Sequence, residues 1–310
     1  MTVIVFGSIN MDLVAHVPHL PAPGETLTGG AFATLPGGKG ANQAVACARL
    51  GAPTCMVGRV GEDVFGAALL ESLKSRGVET SGVCVQPGPS GLALINLDAA
   101  GENTIVIIPG ANVGVAVTDL IRLGSALDQA RLLLLQLEVR LEAVRAAAQL
   151  AHDRGIPVIL DPAPARPLPE ELYRLVDVLT PNEREAAVLA GVPVDGPEAA
   201  GRAARLLLRR GPRRVVVKLG GRGAFAVDGE SGRYFPAFPV KAVDTVAAGD
   251  AFNGGLAAAL AEDRPFDEAV RWGMAAGALA VTRPGAQSAM PDRQELLALL
   301  ASGETSHGNH

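Results

Sequence analysis

Aromatic residues and cysteines are scarce in this sequence. Phe, Trp and Tyr together make up 4% of the 310 residues, whereas apolar residues make up 48%, so the core must be aliphatic. The three cysteines, Cys47, Cys55 and Cys84, are an odd number without CxxC spacing. This pattern argues against a disulfide framework and against a zinc site. We therefore expect a cytoplasmic protein.

Long apolar runs and long basic runs are also missing. No uncharged apolar stretch reaches the length of about 18 residues that a membrane span needs, and residues 1–12 lack the basic region of a signal peptide. The formal net charge is −5, and no basic cluster is longer than residues 209–214. Because nucleic-acid binding needs a basic face, we expect neither nucleic acid nor a membrane as a partner.

Three familiar catalytic patterns are absent. The five histidines show no ligand spacing, so metal ligation or catalysis by histidine is poorly supported. The glycine-rich loop at 36–46 is not a P-loop, because Gly40 follows Lys39 where Ser or Thr should stand. No GxGxxG motif lies between a strand and a helix, which disfavours a Rossmann dehydrogenase.

The chain consists mainly of strand and helix segments in alternation. Continuous Val- and Leu-rich runs, such as 131–138 and 214–221, are each separated by helical patterns of ten residues or more. This predicts one doubly wound α/β domain over residues 1–310, with a mostly parallel sheet flanked by helices. We expect the polar residues 302–310 to be a disordered tail.

Two segments, about 12–36 and 91–109, interrupt this order. Polar and apolar residues alternate there, with turn-like sequences between them, which predicts strands that have one covered face. Both segments leave the α/β body and return to it, so we expect one small β-sheet beside that body. Such a sheet could be a lid over a cleft, a dimer surface, or both.

Polar residues follow several of the predicted strands. Ligands bind outside the carboxyl ends of the strands in open α/β sheets, and these residues are Asn10, Asp12, Glu138, Asp161, Asn182 and the glycine turn 220–223. Each is equally a residue type found in turns and caps. We assign no role to Asp161.

The loop at 36–46 contains two adjacent glycines, Gly37 and Gly38. Small side chains let the backbone approach a polyhydroxy ligand, with Lys39 and Asn42 as hydrogen-bond donors. The alternative is a plain glycine turn with Asn42 facing solvent.

Asn182 and Glu185 are three residues apart at a predicted helix start. They could hold a hydrated magnesium ion, which keeps its waters and takes few protein ligands. The alternative is ordinary complementation of the helix dipole by Glu185.

Asp250 stands among small residues immediately before a long alanine-rich run. It could be an ordinary helix N-cap. The preceding Ala247, Ala248 and Gly249 leave the backbone N–H groups of the helix start open to an anion. A carboxylate beside an anion site suggests a base that removes a proton from a group attacking that anion.

These residues carry a resemblance to a known family. Over residues 3–300 the chain resembles the ribokinase-like (PfkB-type) carbohydrate kinases. The matching motifs are "GSINMD", "PGETLTG", "GGKGANQAVA", "LQLE", "DPAPA", "TPNEREA", "KLGGRGA", "VDTVAAGDAFNGG" and "AVTRPGAQSAMP". The resemblance implies phosphorylation of the primary 5-hydroxyl of D-ribose, giving D-ribose 5-phosphate and ADP. ATP, Mg²⁺ and a K⁺ activator are the implied cofactors, and a homodimer through the β-lid is the implied assembly.

The resemblance also implies roles for individual residues. Asp250 would be the general base, and Ala247, Ala248 and Gly249 would form the anion hole for the phosphoryl group. The sugar hydroxyls would be held by Asn10, Asp12, Gly38, Lys39, Asn42 and Glu138.

The nucleotide and the metal ions have implied residues of their own. Asn182 and Glu185 would face the phosphates and magnesium, with Mg²⁺ held through water. The nucleotide would be lined by Lys218, Gly220, Gly221, Arg222, Gly223, Gly249 and Met274. A monovalent-cation site, mainly of backbone atoms, would comprise Asp244, Val246, Ala280, Arg283, Gly285 and Ala289.

Three residues depart from the family pattern. Met274 replaces a common histidine, Asp161 replaces an asparagine, and Ala289 replaces a serine of the cation site. Alternative functions are another kinase of this family, such as a fructokinase or a nucleoside kinase, and a non-catalytic sugar- or nucleotide-binding protein. For a nucleoside kinase, Phe32 is the one aromatic residue near the lid that could stack on a base.

Overall fold

A computed structural model describes residues 2–305. Its strands are β1 (Thr2–Phe6), β2 (Asn10–His16), β3 (Ala31–Gly37), β4 (Thr54–Gly61), β5 (Val78–Gln86), β6 (Gly91–Leu97), β7 (Asn103–Ile108), β8 (Ala130–Leu135), β9 (Val158–Leu160), β10 (Val178–Leu179), β11 (Arg214–Lys218), β12 (Ala224–Asp228) and β13 (Ser231–Phe235). Its α-helices are α1 (Lys39–Arg49), α2 (Val64–Ser75), α3 (Leu120–Leu127), α4 (Leu141–Asp153), α5 (Glu170–Arg174), α6 (Glu183–Ala190), α7 (Pro197–Leu208), α8 (Ala248–Ala261), α9 (Phe266–Ala280) and α10 (Arg293–Thr305).

The larger sheet has nine strands in the order β13-β12-β11-β10-β9-β8-β1-β4-β5. All neighbours from β11 to β5 pair in parallel, whereas β12 and β13 are antiparallel additions at one edge. The predicted doubly wound, mostly parallel fold is therefore confirmed.

Both faces of this sheet are buried, and β1 shows why its strands are apolar throughout. Val3 and Val5 pack in the core that contains residues of α1, α2, α8, α9 and α10. Ile4 and Phe6, which point to the opposite face, pack with residues of α3 to α7. Alternate side chains thus enter different helical layers, and both layers require apolar residues.

The smaller sheet has four strands in the order β3-β2-β6-β7. Its strands come from the two alternating segments, as predicted, and β2 begins at Asn10 shortly after β1 ends. The edge strand β7 exposes a run of aliphatic side chains, Ile105, Val106, Ile107 and Ile108. One small sheet therefore extends from the end of the large sheet where β1 finishes.

Several elements were not predicted. Strand β5 and helix α3 lie in segments without a clear sequence pattern, and β12 and β13 follow the glycine turn at 220–223. Helix α10 continues to Thr305, so the expected disordered tail is wrong for 302–305, where the Ser302 hydroxyl bonds the carbonyl of Leu299. Residues 306–310 lie outside the described residues.

No helix within residues 2–305 combines the length and the apolar character that crossing a membrane requires.

Candidate active site

Asp250 lies in the first turn of α8 and is 4% exposed. Asn42 Nδ2 donates to its Oδ2 at 3.0 Å, and Gln43 Nε2 donates to its Oδ1 at 3.0 Å. Both donors belong to α1, so two helices far apart in sequence fix this carboxylate. The N-cap of α8 is Ala247, which excludes the plain-cap interpretation of Asp250.

The start of α8 has an unusual backbone. Ala247 adopts the left-handed conformation, with φ 58° and ψ 11°, which costs an L residue roughly 1 kcal/mol or more. The first N–H groups of a helix have no intrahelical partner, and no side chain caps them here, although the N–H of Ala248 donates to the carbonyl of Thr245 at 3.4 Å. Ala248 and Gly249 add little bulk, so this helix start can accept an anion.

Charged groups from α1 and the ends of the strands surround Asp250. Burial raises its pKa, and the Lys39 ammonium opposes that rise. Attraction to Asp250 in turn raises the pKa of Lys39. Burial, followed by repulsion from Glu138 and Asp250, raises the pKa of Asp12 to about 7. An ammonium and several carboxyl groups thus share one region.

The glycine loop and the end of β8 meet at Glu138. Its Oε2 accepts from the hydroxyl of Ser8 at 2.6 Å and from the backbone N–H of Lys39 at 3.0 Å. Gly38, with φ 87°, allows the sharp turn into α1. A Cβ on Gly37 would collide with the carboxylate of Asp12, so a larger residue there would displace that carboxylate.

Asn10 is anchored by Asn112, a residue of the 3-10 turn that follows β7. Asn112 Nδ2 donates to Asn10 Oδ1 at 2.6 Å, while Asn112 Oδ1 accepts from the N–H of Ile9 at 2.9 Å. Among the other predicted sugar residues, Asp12 and Lys39 interact with Glu138 and Asp250, and Asn42 bonds to Asp250. Asn10 pairs with Gly37 of the glycine loop across the small sheet. Ser8 and Asn112, which support them, were not predicted.

A series of buried polar side chains connected to Asp250 was also not predicted from the sequence. Gln136 Nε2 donates to Gln43 Oε1 at 2.6 Å, and Gln43 Nε2 also donates to Asp161 Oδ2 at 2.9 Å. Asp161 Oδ1 accepts from Lys218 Nζ at 2.9 Å. Gln43 could have been noticed as a second amide beside Asn42 at a helix start, but Asp161 gives no more signal than any polar residue after a strand.

Asn182 and Glu185 form a reciprocal cap at the start of α6. Glu185 Oε2 and Oε1 accept from the backbone N–H and the Nδ2 of Asn182, each at 2.8 Å, and Asn182 Oδ1 accepts from the N–H of Glu185. Burial, then the charge of Asp161, raises the pKa of Glu185. Because both carboxylate oxygens already accept, this pair fits a hydrated ion better than a directly bound one.

The predicted nucleotide segment is more exposed. Gly220 to Arg222 form a 3-10 turn, in which Gly220 has φ 55°, and Gly223 follows with φ 93°. Arg222 bonds the Glu183 carboxylate and the carbonyl of Asp195. Met274, in α9, is 8% exposed and packs within the core.

The predicted cation loops do lie together. Asp244 Oδ1 accepts from the N–H of Val246, and its Oδ2 accepts from the N–H of Gly285, both at 2.9 Å. Arg283 pairs with Glu295 at 2.8 Å, and Ala280 and Ala289 are buried. Asp244 therefore ties the loop before α8 to the loop after α9.

Comparison with known proteins agrees with this geometry. Residues 2–293 match the family described as pfkB family carbohydrate kinase. The chain is 43% identical over 300 residues to a ribokinase from Haemophilus influenzae, covering 96% of this chain and 98% of that protein.

Two solved structures have the same fold over nearly the full chain. A Thermotoga maritima ribokinase has a TM-score of 0.89 at 40% identity, covering 97% of this chain and 99% of that one. An Arabidopsis thaliana ribokinase complexed with ribose and ATP has a TM-score of 0.88 at 36% identity, covering 96% and 98%. The resemblance is confirmed: this chain belongs to the pfkB family of carbohydrate kinases.

Proposed function

We propose that this protein transfers the γ-phosphoryl group of ATP to the primary 5-hydroxyl of D-ribose, giving D-ribose 5-phosphate and ADP. The observation that carries the proposal is the buried Asp250 carboxylate, clamped by Asn42 and Gln43 at an uncapped helix start. The ribokinase from Haemophilus influenzae and the Arabidopsis thaliana structure with ribose and ATP support ribose as the acceptor.

The sugar binds among the residues of β2, the glycine loop and the end of β8. Asp12 and Glu138 accept hydrogen bonds from its hydroxyls, whereas Lys39 and Asn42 donate. Asn10, fixed by Asn112, and the backbone at Gly38 complete the contacts. These side chains are largely held in place by the protein itself, so ribose binds a preorganised site.

Asp250 accepts the proton of the 5-hydroxyl as that oxygen attacks. The oxygen forms a bond to the γ-phosphorus, and the bond from that phosphorus to the ADP oxygen breaks. Because burial raises the pKa of Asp250, this carboxylate is a stronger base than a free one. The N–H groups around Ala247, Ala248 and Gly249 stabilise the charge on the transferring phosphoryl group.

The segment from Lys218 to Gly223 lines the nucleotide, with Met274 as a small apolar contact. Asn182 and Glu185 face the phosphates and bind Mg²⁺ through its waters. When bound, Mg²⁺ neutralises charge on the phosphates.

The loops joined by Asp244 would hold the potassium ion, mainly through backbone carbonyls. Val246, Ala280, Arg283 and Gly285 contribute main-chain atoms to this site. Ala289 has no side-chain oxygen, so we expect weaker K⁺ activation than a serine would give.

The small sheet covers the sugar as a lid within a single kinase domain. Its exposed strand β7, with Ile105 to Ile108, pairs with the same sheet of a second copy to form a homodimer. Light scattering at micromolar concentration tests the assembly: a particle of twice the chain mass supports the dimer, and a single-chain mass contradicts it.

ADP release from purified protein with Mg-ATP tests the function directly. The acceptors are D-ribose, 2-deoxyribose, D-fructose, adenosine and none, each with and without K⁺. We expect D-ribose to give the highest kcat/KM. Faster turnover of another acceptor would leave the role of Asp250 unchanged but would contradict ribose as the substrate. No ADP release with any acceptor would contradict the enzyme assignment and favour a binding protein.

A further inference from the structure

A buried ion pair lies beside the helix start that faces the phosphoryl group. Lys218 Nζ donates to Asp161 Oδ1 at 2.9 Å, and the two side chains are 13% and 2% exposed. Lys218 ends β11, and Asp161 follows β9, so both extend from the carboxyl edge of the large sheet. The pair has no part in the mechanism above beyond the place of Lys218 in the nucleotide segment.

The ammonium of Lys218 borders the space in front of Gly249. Outside the helix's own backbone and the neighbouring residues, Lys218 Nζ is the one heavy atom in residues 2–305 within 4 Å of where a Cβ on Gly249 would stand, at 3.5 Å. Gly249 belongs to the first turn of α8, directly before Asp250. A positive charge therefore lies against the same small opening as the N–H groups of the helix start.

Packing alone does not account for this pair. Removing two charges from water costs several kcal/mol per ion in proteins, and apolar residues of similar size often serve equally well. Asp161 also accepts from Gln43 with its second oxygen, and Gln43 holds Asp250. The position of the ammonium is thus tied, through two side chains, to the position of the base.

An ammonium has three N–H donors, and Asp161 takes one of them. The remaining donors are available to an anion in front of Gly249. Lysine commonly binds phosphate as a point charge, and charge on the transferring group is what phosphoryl transfer requires the protein to stabilise.

We propose that Lys218 is a catalytic residue that binds the γ-phosphoryl group during transfer, and that Asp161 is a positioning residue that holds the Lys218 ammonium at the start of α8. This inference rests on the proposed function, because it concerns the phosphoryl group that Asp250 helps to transfer. Lys218 forms no covalent bond and stays protonated while the γ-phosphoryl group of ATP moves to the acceptor oxygen and ADP leaves.

The test compares Lys218→Met, Lys218→Arg and Asp161→Asn with the wild type, and Lys74→Met, an exposed lysine in the last turn of α2, is the matched control. Loss of one charge-stabilising donor typically lowers kcat by about 10²- to 10³-fold. We expect that loss in Lys218→Met with an unchanged KM for ribose. Lys218→Arg should retain a higher kcat than Lys218→Met, and Asp161→Asn should lower kcat less than Lys218→Met does. Lys74→Met should match the wild type.

A second measurement does not depend on turnover. Calorimetric titration without a sugar should show that Lys218→Met weakens Mg-ATP binding about tenfold while leaving Mg-ADP binding unchanged, because ADP has no γ-phosphoryl group. Equal weakening of both nucleotides, or of neither, would overturn the inference. The inference would also be overturned if Lys218→Arg lowered kcat as much as Lys218→Met and Asp161→Asn lowered it by the same amount. A pair that only stabilises the structure predicts that result.

The two proposals fail in different ways. A wild type that binds Mg-ATP but releases no ADP with any acceptor contradicts the proposed function, while the comparison of ATP with ADP still decides the role of Lys218. A wild type that phosphorylates ribose beside an equally active Lys218→Met contradicts this inference alone.

Discussion

The acceptor side and the nucleotide side of the candidate site are built differently. On the acceptor side, buried side chains such as Asn42, Gln43 and Asp250 hold one another through hydrogen bonds. On the nucleotide side, the glycine turn 220–223 is mainly exposed backbone, and Asn182 and Glu185 bond chiefly to each other. Under the proposed function, this difference predicts a sugar and base site that is formed before substrate binds, and a nucleotide site that is completed by the nucleotide and its ions.

The largest effect should come from removing the base. Asp250→Asn keeps the size of the side chain, but an amide cannot accept the hydroxyl proton. We expect kcat to fall about 10²- to 10⁴-fold, while calorimetry shows ribose and Mg-ATP binding within a few-fold of wild type. Wild-type turnover in Asp250→Asn would contradict the assignment of the base.

Filling the space in front of the anion hole should have the next largest effect. In Gly249→Ala the new methyl group lies 3.5 Å from Lys218 Nζ, an ordinary contact, so folding is preserved. Displacing the phosphoryl group by about 1 Å can lower kcat about 10²-fold, and steady-state kinetics measures this. Gly196→Ala, where a Cβ meets nothing within 4 Å, is the control. An active Gly249→Ala enzyme would place the phosphoryl group elsewhere.

Asp12 should make the acceptor side sensitive to pH. Its pKa of about 7 means that the carboxylate loses its charge as the pH falls below 7. Since the ionised form accepts hydrogen bonds from the sugar, kcat/KM for ribose should fall about tenfold per pH unit below that value. The KM for Mg-ATP should change less, and a profile that is flat between pH 5 and 8 would contradict this role.

The Asp12 carboxyl group should also make the stability of the fold depend on pH, in the direction opposite to its effect on activity. The pKa of Asp12 is higher in the folded state than in the unfolded chain, so the folded protein binds the extra proton between about pH 4 and 7 and loses stability as the pH rises through this window. Asp12→Asn should therefore raise the melting temperature by a few degrees at pH 8 and change it little at pH 4. Asp153→Asn, at an exposed helix end, is the control substitution.

The smallest effect is expected on the nucleotide side. Glu185→Gln keeps the capping bond from the backbone N–H of Asn182 through its one amide oxygen, loses the bond from Asn182 Nδ2, and removes the charge that attracts Mg²⁺. We expect a few-fold higher Mg²⁺ requirement and an unchanged KM for ribose, measured by magnesium titration of activity. Glu198→Gln, at the exposed start of α7, is the control. If Glu185→Gln lowered kcat more than Asp250→Asn does, the nucleotide side would contribute more to catalysis than the acceptor side, contrary to this comparison.

The fold was largely predictable because its strands are continuous apolar runs. β8 and β11 must be apolar since both of their faces are covered. β5 was missed because it lies at the edge of the sheet, where burial alternates irregularly along Val78–Gln86. α3 was missed because it is short and follows two 3-10 turns.

The site was predictable where a motif supplies several groups in sequence, as at Lys39 to Asn42 and Ala247 to Asp250. It was not predictable where a hydrogen bond joins distant segments. Gln43 and Asp161 are 118 residues apart, and Lys218 and Asp161 are 57 apart. Such pairs exist only once the sheet brings its strand ends together, so their residues look like ordinary polar residues in the sequence.

The most direct test of the account is the identity of the product. Phosphorus and carbon NMR of a reaction with D-ribose and Mg-ATP should show phosphate on the 5-oxygen, formed by the wild type and nearly absent with Asp250→Asn. A phosphate on a different oxygen, no sugar phosphate at all, or equal formation by Asp250→Asn would contradict the claim that Asp250 activates the primary hydroxyl of ribose.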